Sequence, residues 1–367
     1  MSKRVVLLAG GGSGGHISPG IAIAEAIRRA DPEVACVFAC SDRAIDADML
    51  THASETFRPL PARPPTLRPA ALLSFLRGFR ASERQVSALL ERHTIDAVVL
   101  LGGFVAATAA RPARRAHVPT LLVNLDRVPG RANRWMRPRT THAVSAVSTV
   151  RPFVETVTGM PIRNQAMPPG DRATCCELLG LDPAAPVLVI TGASQGASTI
   201  NKALPQLFRE HPRLRGNWQI VHLTGPGHAA AAAHTWGELA GNITLCEFRH
   251  DMGPVWGAAD LVISRAGACS VAEIEYAGIP AIYLPYPHHR DQHQRRNAEL
   301  AVAAGAACIV EDTPDPAETV LALRSTLAPL MGDETARHRL KAAASARAGI
   351  NAADTLAALT STIIRTA

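Results

Sequence analysis

The sequence predicts an α/β protein made of two doubly wound parallel-sheet domains in tandem. Short apolar runs alternate with amphipathic stretches along most of the chain, the pattern of parallel strands covered by helices. The succession strand, glycine loop, helix occurs twice, near residue 10 and near residue 192. Between the two stands Pro168-Pro169-Gly170, a linker signal.

In the first half, apolar runs at 4–9, 34–39, 97–101, 120–123 and 143–147 read as strands, dense enough in Val, Leu and Ala to be buried on both faces. The first helix is expected to start near Pro19, since proline is tolerated in a first helical turn, and to continue through Ile21, Ile23, Ala24 and Ile27. In the second half, strands are expected at 187–191, 219–223, 261–264, 281–284 and 308–310, with a helix from about Thr199. Beyond Asp312 the sequence is helical, with Ala- and Leu-rich faces.

At 367 residues and 47% hydrophobic, the chain can bury two cores, which excludes disordered, collagenous and disulfide-scaffold classes. Seven cysteines without regular spacing, two of them adjacent at Cys175-Cys176, fit a reducing compartment. The apolar run ending at Ala9 is far shorter than the ~20 residues that span a bilayer, and it leads into glycines, not a cleavage site. The net charge of +7 is uneven: residues 1–163 hold 22 Lys+Arg against 12 Asp+Glu, and residues 164–367 hold 16 against 19. A basic half suits an anionic partner, whether nucleic acid, membrane or phosphorylated substrate. Nearly all of that charge is arginine, which suits phosphate but also follows from a GC-rich genome. No helix-turn-helix, zinc-finger or RNP-type motif is present, so no nucleic-acid partner is expected.

The first loop reads Gly10-Gly11-Gly12-Ser13-Gly14-Gly15-His16, and the second Gly192-Ala193-Ser194-Gln195-Gly196-Ala197. Such loops let backbone N–H groups approach an anion, and the helix that follows adds partial positive charge. A tight strand-to-helix turn would explain either loop alone. Two of them opening successive domains suggest a ligand with two phosphorylated parts, or two ligands. The first loop meets the dinucleotide fingerprint only loosely, because Asp42 lies farther along than that motif places its acidic residue. Neither loop continues as a P-loop.

The densest constellation runs from Phe248 to Ala298. Arg265-Ala266-Gly267-Ala268 follows a strand, and the next helix carries Glu273. A carboxylate there can accept both hydroxyls of a ribose, or stand as an ordinary solvated helix residue. Asp291, Gln294 and Asn297 have sugar-binding chemistry, whereas His288, His289, Asp291 and His293 match no familiar metal-ligand spacing.

These stretches together resemble the MurG family of peptidoglycan glycosyltransferases, of the family 28 type. The family transfers N-acetylglucosamine from its UDP sugar to a lipid-linked muramyl-pentapeptide. The resemblance rests on Gly11 to His16 with Pro19-Gly20, on Gly102-Gly103-Phe104-Val105, and on Pro161-Ile162-Arg163. It continues through Gly192 to Ala197 with Asn201, Phe248-Arg249-His250-Asp251-Met252, Arg265 to Ala268 with Glu273, and Asp291, Gln294 and Asn297-Ala298, in family order over residues 4–312. It implies the GT-B fold, with two Rossmann-like domains facing a cleft. Residues 1–163 would form an acceptor- and membrane-side domain and 164–345 a UDP-sugar domain, with a C-terminal helix in 346–367 returning to the first. It also implies an inverting transfer with UDP-N-acetylglucosamine as donor, no cofactor and no obligatory catalytic metal.

By position, the resemblance places Ser194, Gln195 and Gly196 at the diphosphate and Arg163 near the donor phosphates or sugar. Arg249, mainly through its backbone, and Met252 would border the uracil, with Glu273 at the ribose, His293 and Gln294 at the sugar hydroxyls and Ala268 also among the UDP-sugar-binding residues. Gly12, Ser13, Gly14 and Gly15, with Phe104, Asn124 and Asn133, would form the acceptor side. His16 would stand at the reaction centre. An imidazole serves as a base near neutral pH, and a glycine loop on a helix dipole stabilises a departing diphosphate. A histidine at a helix start can equally be a residue hydrogen-bonded to backbone.

The departures from the family cluster on the acceptor side. Phe104 replaces a tyrosine, Asn124-Leu125-Asp126 replaces Glu-Gln-Asn, Met160 replaces an asparagine and His293 a glutamine. Asp126, two places beyond the lost glutamate, is the carboxylate left to assist deprotonation. A transferase for another lipid or glycan acceptor, an epimerase of the same fold and an impaired UDP-sugar-binding homologue are the alternatives. Finally, Leu72, Phe75, Leu76 and Phe79 share one helical face flanked by Arg77, Arg80 and Arg84. A core-facing helix and an interfacial helix on an anionic leaflet share this pattern. The lipid-linked acceptor favours the membrane, and with it a peripheral location on the cytoplasmic face of the inner membrane.

Overall fold

The computed structural model describes residues 4–12, 14–64, 69–92, 94–193, 196–240 and 243–365. The chain divides into two compact units, Met1–Arg163 with Asn351–Ala367, and Asn164–Ile350.

The first unit opens with β1 (Val5–Ala9), α1 (Gly14–Ala30), β2 (Ala35–Ser41), α2 (Ala44–His52), β3 (Thr56–Leu60) and α3 (Pro69–Arg92). It continues through β4 (Ile95–Leu100), α4 (Gly103–Arg115), β5 (Thr120–Asn124), α5 (Arg131–Met136) and β6 (His142–Ser145). The six strands are parallel, in the order β3-β2-β1-β4-β5-β6. Leu7, Leu8, Val98, Val99 and Leu100 are fully buried, as expected of central strands covered on both faces. The first helix begins at Gly14, five residues before the expected start, because Pro19 has a helical φ and removes only one intrahelical bond.

The second unit runs through α6 (Arg172–Leu179), β7 (Val187–Thr191), α7 (Ser198–Glu210), β8 (Gln219–Leu223), α8 (Ala229–Trp236) and β9 (Ile243–Cys246). Then come α9 (Gly253–Ala258), β10 (Leu261–Ser264), α10 (Ala268–Tyr276), β11 (Ala281–Tyr283), α11 (His293–Ala303), β12 (Ala307–Ile309), α12 (Pro316–Gly332) and α13 (Glu334–Ser345). Its sheet is also parallel, in the order β12-β11-β10-β7-β8-β9. Counted from its own first strand, this is the order of the first unit again. In each sheet the order reverses between the first and fourth strands, which opens a crevice beyond their carboxyl ends.

β3 and β9 are not among the strands expected from the sequence. Both are edge strands. β3 carries Pro59 and only one buried residue, and β9 has none, so neither shows the dense apolar run of a central strand. The second unit also extends past the expected boundary at 345, to Ile350. Arg347 pairs with Glu275, and the Gly349 N–H donates to the Tyr276 carbonyl, tying this segment to α10.

The chain then returns to the first unit. Asn351 clamps Ile162 reciprocally, accepting from its N–H (2.9 Å) and donating to its carbonyl (2.8 Å). The last helix, α14 (Ala353–Arg365), packs on α1 and buries Leu356 and Ile363. Arg29 on α1 pairs with Asp354 at 2.6 Å. Among the described residues no helix is long and apolar enough to cross a membrane.

Candidate functional site

In the first unit, the glycine loop after β1 faces the start of α4 after β4, across the point where the strand order reverses. The buried carboxylate of Asp46, in the first turn of α2, fixes that loop. Its Oδ2 accepts from the Gly12 N–H (2.7 Å), the Ser41 N–H (3.0 Å) and the Ser41 hydroxyl (2.6 Å). The Gly12 carbonyl accepts from Arg43 at 2.6 Å. A Cβ on Gly11 would collide with the same carboxylate oxygen, so the loop must be glycine there. The expectation for Gly12 is thereby corrected. Its N–H and carbonyl are both committed within the unit, so it anchors the loop and does not offer its N–H to an anion. Gly14 is the first residue of α1, followed by half-buried Gly15, and Ser13 lies outside the described residues.

His16 is half-buried on the first turns of α1, with its ring against Gly103, where a Cβ would lie 3.1 Å from the imidazole Cε1. Its Nδ1 is buried and has no hydrogen-bond partner among the described residues. Burial lowers the pKa of this imidazole, opposed by the charges of Asp126 and Asp46 and by the Gly11 backbone. A neutral imidazole is therefore the resting form at neutral pH, and it can accept a proton.

The residues expected on the acceptor side divide. Phe104 lies against Gly12 as a packing group, with its ring edge 2.7 Å from where a Cβ would stand. Asn124 is fully buried and internally committed. Its amide donates to the Asp126 carbonyl (2.7 Å) and the Ser145 hydroxyl (2.9 Å), and its oxygen accepts from Asn133 (2.9 Å). Asn124 therefore shapes the loop that carries Asp126 and is not a contact for an acceptor. The buried Asn133 Oδ1 has no partner among the described residues. Asp126 itself is half-buried and acts electrostatically on His16.

On α3 the expected apolar face also divides. Leu72, Leu73 and Leu76 are 40%, 51% and 41% exposed, with Arg77 and Arg80 exposed beside them. Phe79 instead turns inward, its ring edge-on to Trp135 at 6.2 Å, with the Phe75 ring tilted against it at 5.9 Å. Phe79 is corrected from a surface residue to a packing one.

In the second unit, the loop after β7 contains Gly192, Ala193 and Gly196; Ser194 and Gln195 lie outside the described residues. The Gly196 N–H donates to the Ala193 carbonyl (3.0 Å), and a Cβ on Gly196 would collide with the Thr224 carbonyl. Gly196 thus closes the loop, and its N–H is spent inside it. Behind the loop stands a buried polar chain. The Trp236 indole donates to His222 Nδ1 (3.0 Å), so His222 Nε2 carries the proton and donates to Asn201 Oδ1 (3.1 Å). The Asn201 amide then donates to the Thr224 carbonyl (2.8 Å). Burial depresses the His222 pKa to about 4.

After β10, Gly267 caps α10 and Ala268 is its first residue. Glu273 is 8% exposed, not a solvated helix residue, and its Oε2 accepts from the Trp256 indole at 3.1 Å. Arg265 forms a buried ion pair with Asp312 (2.6 Å) and donates to the Leu284 carbonyl (2.9 Å), fixing the loop after β11. Asn297 donates to the Ala266 carbonyl at 3.3 Å. Gln294 Oε1 accepts from the Tyr286 N–H (2.9 Å), which leaves its amide NH2 as the group it can offer a sugar. His293 pairs with Asp291 at 2.9 Å. Met252 has its side chain buried in the core, its N–H donating to the Gln165 carbonyl (2.9 Å) and its carbonyl accepting from the Trp256 N–H (2.9 Å). Arg249 is half-buried and its Nε donates to the Asp251 carbonyl (3.4 Å). Arg163, the last residue of the first segment, is buried. Among the described residues no three His, Cys, Asp or Glu side chains converge as they would around a metal ion.

Three residues central to this geometry are not among those the motifs single out: Asp46, Trp256 and His222. A lone Asp in a first helical turn, or a lone Trp or His in an apolar run, carries no motif.

Two parallel sheets of one shared order, each opened by a glycine loop at its reversal point, follow the GT-B plan of nucleotide-sugar glycosyltransferases. The structure of MurG from Acinetobacter baumannii has the same fold, with a TM-score of 0.72 at 22% identity over 98% of this chain and 99% of that one. The glycosyltransferase family 28 N-terminal domain matches residues 6–145 and its C-terminal domain residues 187–354, and the chain belongs to this family. A relative from Chlorobaculum parvum is 33% identical over 91% of this chain and 92% of its own length. One from Acidothermus cellulolyticus is 32% identical over 89% of each. Both bear the name UDP-N-acetylglucosamine--N-acetylmuramyl-(pentapeptide) pyrophosphoryl-undecaprenol N-acetylglucosamine transferase.

Proposed function

We propose that the protein transfers N-acetylglucosamine, with inversion, from UDP-N-acetylglucosamine to a lipid-pyrophosphate-linked muramyl-pentapeptide. The observation that carries this reading is His16: an imidazole kept neutral by burial, with the Asp126 charge opposing that effect, at the reversal point of the first sheet. In the reaction an acceptor hydroxyl attacks the anomeric carbon as the bond to the UDP β-phosphate oxygen breaks. The hydroxyl proton passes to His16, and Asp126 stabilises the imidazolium that forms. In the second unit Glu273 receives the ribose hydroxyls, held in place by Trp256. The amide of Gln294, His293 and the backbone near Arg249 and Met252 face the sugar and uracil. The positive end of α7 meets the diphosphate, and Arg163 adds charge, so the leaving group is stabilised without an obligatory metal.

The first unit works at an anionic membrane, peripherally and on the cytoplasmic face. Exposed Leu72, Leu73 and Leu76 beside Arg77 and Arg80 support this, since each basic residue at such a surface contributes about 1 kcal/mol.

UDP release is measured from purified protein with UDP-N-acetylglucosamine and the lipid-linked acceptor, with and without a chelator. Acceptor-dependent release unaffected by the chelator is expected, as is a fall of about 1,000-fold in His16→Ala. Release with a different lipid acceptor alone would replace the acceptor assignment. UDP binding without turnover on any acceptor would overturn the reaction.

A further inference from the structure

We infer that Asp46 is a positioning residue for His16: from behind, it holds the first glycine loop, and with it the start of the helix that carries the imidazole. This rests on the proposed role of His16 as the base.

The geometry is that of a buried carboxylate anchored through one of its two oxygens. Asp46 has no exposed surface. It sits in the first turn of α2, where the helix dipole favours a carboxylate. All three of its donors reach one oxygen, Oδ2, and two of them come from Ser41 at the end of β2. The third is the Gly12 N–H, two residues ahead of α1, so Asp46 ties the carboxyl end of β2 to the start of the helix that carries His16. Its other oxygen, Oδ1, is buried with no hydrogen-bond partner among the described residues, as is His16 Nδ1. Removing a buried acceptor from such a cluster leaves three donors unsatisfied, and a side chain on Gly11 is excluded by the same oxygen.

The arrangement has an electrostatic consequence. The groups that act on His16 are Asp126 in the loop after β5, Asp46 on α2 and the Gly11 backbone, all favouring the protonated ring against burial. Arg43, bonded to the Gly12 carbonyl, holds the other side of the loop. Asp126 is half-buried, whereas Asp46 is wholly shielded from solvent, so its field at the imidazole is little screened by salt. A base that is protonated during transfer gains from such a field, and buried Asp46 adds to the larger contribution of Asp126.

The test is Asp46→Asn, read by the pH profile of kcat/KM, by the donor KM and by the His16 titration in histidine-labelled protein followed by NMR, with His16→Gln for assignment. The expected result is a kcat about tenfold lower, a donor KM within about twofold of the parent, and an acid limb moved to lower pH. The NMR titration of His16 should move in the same direction. Ser41→Ala, which removes one donor and adds no bulk, serves if the first variant does not fold. It should lower kcat about threefold and leave the donor KM unchanged. A fall in activity with an unmoved acid limb and an unmoved His16 titration would overturn the inference, as would parental kinetics in Ser41→Ala. If the unsubstituted protein shows no turnover, the proposed reaction fails, and the NMR titration still decides the role of Asp46.

Discussion

Acidification should destabilise the second unit through one side chain, His222. Its ring is fully buried, accepts from the Trp236 indole and donates to Asn201, which leaves no room for a second proton on Nδ1. The folded pKa is depressed from 6.5 to about 4. The unfolded chain therefore binds more protons than the folded one between those values, and stability rises with pH across that window. The contribution is fully present above pH 6.5 and is lost as pH falls towards 4. At 1.36 kcal/mol per unit, the full shift corresponds to about 3 kcal/mol, of which about 2 kcal/mol is lost between pH 7 and pH 5. Urea unfolding followed by tryptophan fluorescence measures it, since Trp218, Trp236 and Trp256 all lie in this unit. His222→Gln lowers stability at pH 7 by a fixed amount but removes the titration. The parent should lose about 2 kcal/mol more than the variant between pH 7 and pH 5. Parallel losses in the two proteins would refute the reasoning, because the imidazole would then titrate alike in both states.

Two other outcomes concern the ligands. Glu273→Ala should raise the donor KM about tenfold or more with little change in kcat. Trp256→Phe, which removes only the indole donor, should raise it about threefold; calorimetric UDP binding checks both. Leu73→Asp with Arg80→Glu should abolish sedimentation with anionic liposomes while leaving UDP binding intact, and persistent sedimentation would remove α3 from the membrane contact.

The legible and illegible parts of the sequence separate along physical lines. Central strands such as β1, β4, β7 and β10 are buried on both faces and so write continuous apolar runs. Edge strands β3 and β9 are partly solvated and resemble loops. His16 and Glu273 stood out because motifs surround them. The groups that hold them, Asp46 and Trp256, act through contacts across 34 residues (to Gly12) and 17 residues of chain, which leave no local pattern. Periodicity on α3 placed Leu72, Phe75, Leu76 and Phe79 together but could not tell which would meet Trp135. The commitments of Asn124, Gly12 and Gln294 to internal partners are likewise visible only once the loops are closed.

The return of the chain at Asn351 has a consequence for synthesis. A ribosome delivers the 187 residues of the second unit, Asn164 to Ile350, as one uninterrupted stretch, and that unit has all its strands before α14 is made. The first unit is begun earlier and finished later. Its six strands are in hand by Ser145, yet the helix that covers α1 emerges only after the second unit. The older half of the nascent chain must therefore wait, partly uncovered, while the younger half folds. A chain that stops before residue 351 leaves the unit bearing His16 unsealed, while the unit bearing Glu273 is complete.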